Sequence, residues 1–234
     1  MSKKIIGVII AATLAVSLVA CGEKKEDSNN SVNNIENSRS VGDNAKTKNL
    51  QGAWASKEYT YNSFKDESAK LTTKVEDLSK EFGLDYKNEE KVEDVDGLTA
   101  NVKSVYLDNK NPEENKLESM QFSTQYLGKS QEGGKFMLKE SLKFNGEKAI
   151  KEGNFNLGDT SLAKYAAILT EEPNRDYSEL NKKIMDIIKS DKPEGVIEDS
   201  VNGLHEELAV SKDYIVYTLT TKEFKFQKES SSGV

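Results

Sequence analysis

Every aromatic residue of this chain lies between Trp54 and Phe226. Aromatic side chains supply the largest single blocks of buried area in a core. A fold must therefore be built from roughly the last three quarters of the sequence, and the first fifty residues need another account. Those residues are of two kinds. Lys3 and Lys4 are followed by an uncharged run from Ile5 to Ala20, and then by Cys21, the single cysteine among 234 residues. From Gly22 to Asn49 the chain is rich in Asn, Ser and charge and poor in aliphatics. Such a composition does not bury enough apolar surface to offset the entropy of ordering it.

The run from Ile5 to Ala20 is shorter than the roughly 20 residues that a permanent transmembrane helix needs. A basic start, a short apolar stretch and small residues at its end have the form of an export signal. With one cysteine no intramolecular disulfide can form, so an exported domain of this size must hold by packing alone. The net charge of −7 repels phosphate backbones, which speaks against a nucleic-acid partner.

The end of the apolar run, Leu18-Val19-Ala20-Cys21, resembles the lipobox of bacterial lipoproteins at all four positions. The resemblance covers the first 21 residues. It implies a diacylglycerol group on the Cys21 sulfur, cleavage before Cys21, and further acylation of the palmitate kind. Two acyl chains exceed the single-chain threshold of marginal, reversible anchoring. The expected organisation is then a cleaved signal peptide at 1–20, a lipidated Cys21 and disordered tether at 21–49, an α+β domain at 50–228, and a disordered tail at 229–234. As a random coil the tether would hold the domain roughly 30 Å from the bilayer on average. The implied location is the outward face of the cell membrane, or an outer membrane if the host has one. The membrane, through the lipid on Cys21, and an envelope or surface protein are the expected partners.

Within the domain, Trp54 to Phe64 is aromatic and partly alternating and reads as a strand. Leu71, Val75, Leu78 and Phe82 share one helix face, with Gly83 as a stop. Asp85 to Asp96 reads as an acidic irregular loop. Leu98 to Asp108, Glu118 to Gly128 and Lys135 to Phe144 read as strands. Asn145-Gly146 is a strong short hairpin signal. Folding there pairs Phe144 with Glu147, Leu142 with Ala149, Glu140 with Lys151, Leu138 with Gly153 and Phe136 with Phe155. That gives a four-strand antiparallel meander over Leu98 to Leu157. Two helices follow, one with Leu162, Tyr165, Ala166 and Leu169 on a face, the other over Asp176 to Ser190 with Asp176 and Glu179 spaced as a capping box. Asn202-Gly203 turns a hairpin, and segments from Asp213 and Glu223 make a final strand pair. Strands packed on helices give an α+β class with a single domain.

No catalytic set stands out, and no cofactor is implied. His205 is the only histidine and reads as a surface residue beside a turn. A zinc site lacks ligands. The acidic cluster Glu89, Glu90, Glu93, Asp94 and Asp96 does not match a calcium-loop spacing and reads as a solvated loop. Ser161 to Lys164 fits S-x-x-K without its companion motifs. Leu50 to Trp54, "LQGAW", resembles the opening of lipocalin-like barrels. That resemblance implies a Trp54 closing a barrel floor under a basic residue, Lys225 or Lys228. The expected function is a non-enzymatic binding module. Its alternative is a carrier of a small apolar ligand, with Trp54, Phe122, Phe136, Leu138, Phe144 and Phe155 as pocket or core. An unrecognised hydrolase stands behind both.

Overall fold

A computed structural model describes residues 50–229. The segments expected as signal peptide, lipidated Cys21 and tether lie outside the described residues, as do residues 230–234 of the expected tail.

The chain enters through a single helical turn, α1 (Ala53–Ser56), and then a long helix, α2 (Tyr61–Glu81). The strand expected over Trp54 to Phe64 is therefore absent. Two local features decide this. Thr60 and Ser63 cap each other's backbone amides at the helix start, which satisfies donors that otherwise lack partners. The helical period also extends backwards from Leu71 and Val75 through Ser68 to Phe64, and all of these are buried. Gly83, with φ of 66°, ends the helix as expected.

The next segment is also corrected. Residues expected as an acidic loop form β1 (Tyr86–Val95), paired along its whole length with β2 (Leu98–Asp108). The turn is Asp96-Gly97, both at positive φ (55° and 80°), as a two-residue hairpin turn requires. Its Lys, Glu and Asp residues suit β1 to its place at the sheet edge, where charge discourages pairing with other chains. β3 (Lys116–Leu127) and β4 (Gly133–Lys143) complete an antiparallel meander.

After β4 the chain leaves the sheet. Asn145 has φ of −114° and its side chain accepts the Lys148 amide, capping helix α3 (Gly146–Glu152). The expected hairpin at Asn145-Gly146 and its five pairs do not form. The reason is local and tertiary together: Glu147 to Glu152 are mostly strong helix formers, and the Gly146 amide donates to the carbonyl of Lys212. β4 pairs instead with β7 (Tyr214–Thr220), which sets Leu142 against Ile215, Glu140 against Tyr217 and Leu138 against Leu219. The meander thus covers Tyr86 to Lys143 and not Leu98 to Leu157.

A short 3-10 turn (Leu157–Asp159) leads to α4 (Ser161–Thr170) and α5 (Ser178–Ile188), the two helices expected. α5 begins without the capping box: its N-cap is Tyr177, and the Asp176 side chain accepts the Ser178 amide. β5 (Gly195–Val201) and β6 (Leu204–Val210) form the expected hairpin about Asn202-Gly203, with φ of 47° and 82°. β6 pairs with β7, and a two-residue β8 (Phe224–Lys225) pairs with β4 and not with β7.

The result is an open antiparallel sheet in the order β1-β2-β3-β4-β7-β6-β5, with β8 beside β4. It does not close, so the lipocalin-like barrel is not the architecture. The α+β class holds. α2 packs on β2, β3 and β4, α4 on β3, β4 and β7, and α5 on β6. The core lies between these helices and the sheet. Its centre is aromatic, with Phe64 of α2 stacked on Phe136 of β4 at 4.4 Å. The opposite sheet face carries half-exposed or exposed side chains such as Gln121, Lys139, His205 and Thr218, and towards β2 and β3 a small separate buried cluster of Ala100, Val102 and Leu127. No helix among the described residues is long and apolar enough to cross a membrane.

Candidate functional site

The side chains singled out as pocket or core residues are core. Trp54, Phe122, Phe136, Leu138 and Phe144 are almost wholly buried, and Phe155 packs against Phe144 at 4.7 Å. Phe136 sits between Phe64, Phe122 and Trp54, ring against ring. Trp54 donates its indole N–H to the carbonyl of Leu169 at 2.6 Å. The basic group over its ring is Lys57, not Lys225 or Lys228, with Nζ 3.4 Å from the ring centroid.

The "LQGAW" segment earns its glycine by contact. Gly52 has φ of 130°, and a Cβ there would meet the Asn202 backbone at 2.3 Å. Gly203 is the counterpart, where a Cβ would lie 2.4 Å from the Ala55 nitrogen. Asn202 accepts from the Ala53 and Trp54 amides through its side-chain and backbone oxygens. Its own amide group donates to the carbonyl of Thr170. One hairpin turn therefore fastens α1 and the end of α4.

His205 lies on β6, half-buried on the helix-free face, opposite Ser200 and Thr220. The acidic cluster is divided by the pleat of β1, because successive residues of a strand face opposite sides. Among the described residues no three His, Cys, Asp or Glu side chains are grouped to hold a metal ion. Lys164 of the S-x-x-K match is exposed on α4.

The chemistry missed in the sequence is a buried polar cluster between the sheet and the segment linking α4 to α5. Glu171, in the left-handed conformation, ends α4, and Pro173 follows, so the chain turns and brings Arg175 back over the sheet. Arg175 donates to both carboxylate oxygens of Glu206 on β6, with the Nη2 contact at 2.8 Å, and to the Tyr217 hydroxyl at 3.1 Å. Tyr217 in turn donates to Glu206. Glu206 is fully buried and the Arg175 side chain is only 13% exposed. Arg175 also lies over the Tyr177 ring at 4.9 Å. Burial works against the Arg175 cation, but the Glu206 hydrogen bonds and the nearby charges outweigh it and raise its pKa. Burial lifts the Tyr217 phenol well above its ordinary value, and the Glu206 charge adds to this.

Glu140 stands beside this pair. On β4 it faces Met120 of β3 and Tyr217 of β7 in the register. It is 1% exposed, and neither of its oxygens has a hydrogen-bond partner. Burial alone raises its pKa well above the carboxylate range. The Tyr177 hydroxyl is likewise buried without a partner. Burial pushes the Tyr177 phenol up to about 12, and Glu140 is among the charges that contribute. The same carboxyl contributes at Tyr165 of α4, whose hydroxyl pairs with Ser79 of α2.

Outside Arg175 and Tyr177 lies a groove of about 560 Å³, walled further by Asn156, Asp159, Asn174 and Asp176. Its walls are tied together. Asn156 accepts from the Gly158 amide and from the Asn181 side chain, and Asn181 accepts from the Leu157 amide. The backbone amide of Ser178 holds the Asp176 carboxylate below its ordinary pKa. No sequence spacing marks this cluster, since its members come from β4, β6, β7 and one loop. No family model matches the chain, and neither the curated proteins nor the solved structures contain a match to it.

Proposed function

We propose that this protein is a lipid-anchored lipoprotein of the bacterial cell envelope, whose α+β domain is a non-enzymatic binding module facing outward. The observation that carries the reading is the run Leu18-Val19-Ala20-Cys21, with the chain's single cysteine at the end of a sixteen-residue uncharged segment behind two lysines. A thiol at that position is the nucleophile that lipid attachment needs, and its small neighbours give access to it. The binding half of the reading draws support from the domain. The outer face of β4, β6 and β7 carries half-exposed or exposed side chains such as Lys139, His205 and Thr218, and a polar groove opens beside the α4–α5 link. Both leave surface for a partner while the helices close the core on the other side.

Metabolic labelling with a fatty-acid probe tests the anchor. The wild-type chain takes up label and partitions with membranes, and Cys21→Ser does neither. Equal labelling of the two proteins would refute the assignment.

A further inference from the structure

β1 is the outermost strand of the sheet, and among the described residues no strand pairs with its far side. The backbone groups on that side belong to its even-numbered residues. Gly128 donates its amide to the carbonyl of Thr99, so odd-numbered residues of β2 bond towards β3 and even-numbered ones towards β1. In the β1–β2 register each even residue of β2 meets an odd residue of β1. Tyr86, Asn88, Glu90, Val92 and Asp94 therefore turn their N–H and C=O groups to the edge, where they form a template for a further strand. Val92, in this same row, is 71% exposed. We propose that β1 is a dimer edge, and that its occupant is β1 of a second copy of this chain, antiparallel and centred on Glu90. This goes beyond the binding-module reading, and it does not depend on the lipid anchor.

Charge selects both the occupant and the register. Side chains alternate across a strand, so Lys87, Glu89, Lys91 and Glu93 stand in one row, and along that row the sign of the charge alternates. The row lies on the face away from α2, since Asn88, on the other face, donates to Glu76 of that helix. A two-fold axis through Glu90 sets Lys87 against Glu93 of the second copy and Glu89 against Lys91, with the reciprocal pairs by symmetry. Opposite charges directly across an antiparallel pair stabilise it, and like charges weaken it. Moving the axis to Glu89 would set Lys87 against Lys91 and Glu89 against itself. Moving it to Lys91 would set Glu89 against Glu93 and Lys91 against itself. The charges therefore favour the register centred on Glu90 over its neighbours on either side.

In that register the edge-facing residues make the hydrogen-bonded pairs, Glu90 with itself, Asn88 with Val92 and Tyr86 with Asp94, so the edge is used over nearly its whole length. The like-charge contact is Glu90 against itself on the axis, and Lys103 of β2, 3.6 Å from Glu90 in each copy, offsets it. The same charges turn away a strand that lacks the complementary row. β5, at the other end of the sheet order, carries no basic residue and offers no such row. A two-fold contact of β1 with itself also covers the edge of both copies, so the assembly closes at two.

Sedimentation of the full-length protein in density-matched detergent tests this, with a reversible monomer–dimer equilibrium expected for the wild type. Lys87→Glu/Lys91→Glu leaves an all-acidic row, and Glu89→Lys/Glu93→Lys an all-basic one. Each alone should raise the dimer dissociation constant by about tenfold or more, and an equimolar mixture of the two should dimerise again. Glu90→Gln removes the like-charge contact and should tighten the dimer severalfold. If a charge variant fails to fold, a cross-link in membranes decides. Glu90→Cys should oxidise to a covalent dimer, because a hydrogen-bonded antiparallel pair holds its Cα atoms about 5.5 Å apart, within disulfide reach. Asn88→Cys, which faces Val92, should give no more dimer than the wild type. A monomer at every concentration, a dimer indifferent to both charge reversals, a mixture of folded variants that stays monomeric, or a ladder of larger oligomers overturns the proposal. None of these outcomes bears on Cys21 labelling, so failure here and failure of the anchor are separate results.

Discussion

Replacing Glu140 by leucine should stabilise the domain, and by more as the pH rises. Glu140 is 1% exposed and has no hydrogen-bond partner for either oxygen. Burial raises its folded-state pKa well above the 4.5 of a free glutamate. In the unfolded chain the side chain ionises near that ordinary value. The folded state therefore holds a proton that the unfolded state has lost. Above the unfolded pKa this difference penalises folding by about 1.4 kcal/mol for each pH unit, until the folded value is reached. The contribution is at its most favourable below the unfolded value and is eroded upward from there. Each pH unit lying between the unfolded and the folded value thus removes a sizeable share of a typical domain's total stability.

Leucine has no titration and needs no partner, and among Met120, Tyr165 and Tyr217 it meets apolar surface. The wild type and Glu140→Leu share every other titrating group, so those contributions cancel in the difference. Urea unfolding followed by the fluorescence of Trp54, the only tryptophan and fully buried, measures both proteins at pH 5, 6, 7 and 8. The stability advantage of the variant should widen with pH across the series, by no more than about 1.4 kcal/mol per unit. An advantage that is flat across the series refutes the reasoning, because it means that Glu140 is ionised and compensated in the folded protein.

Arg175→Ala should cost about 3–5 kcal/mol, since it leaves the fully buried Glu206 carboxylate without its cation; urea unfolding measures the loss, and adding Glu206→Gln should recover part of it. A loss under 1 kcal/mol would mean that Glu206 relaxes to solvent. Gly203→Ala should destabilise by more than the roughly 1 kcal/mol of a left-handed penalty alone, because its Cβ would lie 2.4 Å from the Ala55 nitrogen. Gly97→Ala isolates the backbone contribution, since its φ is also positive but nothing lies within 4 Å. Equal thermal midpoints for the two variants would show that the α1 contact adds nothing.

Elements whose signals are local were legible in the sequence. The stripe Leu71, Val75, Leu78 and the stop at Gly83 fixed the second half of α2, and Asn202-Gly203 gave the β5–β6 turn in its correct register. The strand expected from Trp54 to Phe64 does not form, because the Thr60–Ser63 cap within that segment starts a helix and outweighs the aromatic spacing. Charge concealed β1. Its high content of Lys, Glu and Asp has the look of a loop, but the Asp96-Gly97 hairpin turn pairs the ten residues before it with β2. That signal was in the sequence.

The error at Asn145-Gly146 has a different cause, and it bears on function. An Asn-Gly pair serves a hairpin turn or a helix N-cap equally well, since the same side chain that tolerates a left-handed turn also accepts a helix amide. What decides between them lies more than sixty residues downstream, where Lys212 takes the Gly146 amide and β7 takes the free edge of β4. The expected register supplies Glu140 with Lys151 as a cross-strand partner of opposite charge. The observed register gives it Tyr217 and a covering of helices, and no cation. A single change of strand partner therefore turns a carboxylate paired with a lysine into a buried, partnerless one. It also builds the polar cluster, because Tyr217 arrives with Glu206 beside it on β6 and Arg175 above. The site could not be read before the topology, since its defining property is the absence of a partner that local pairing would have provided.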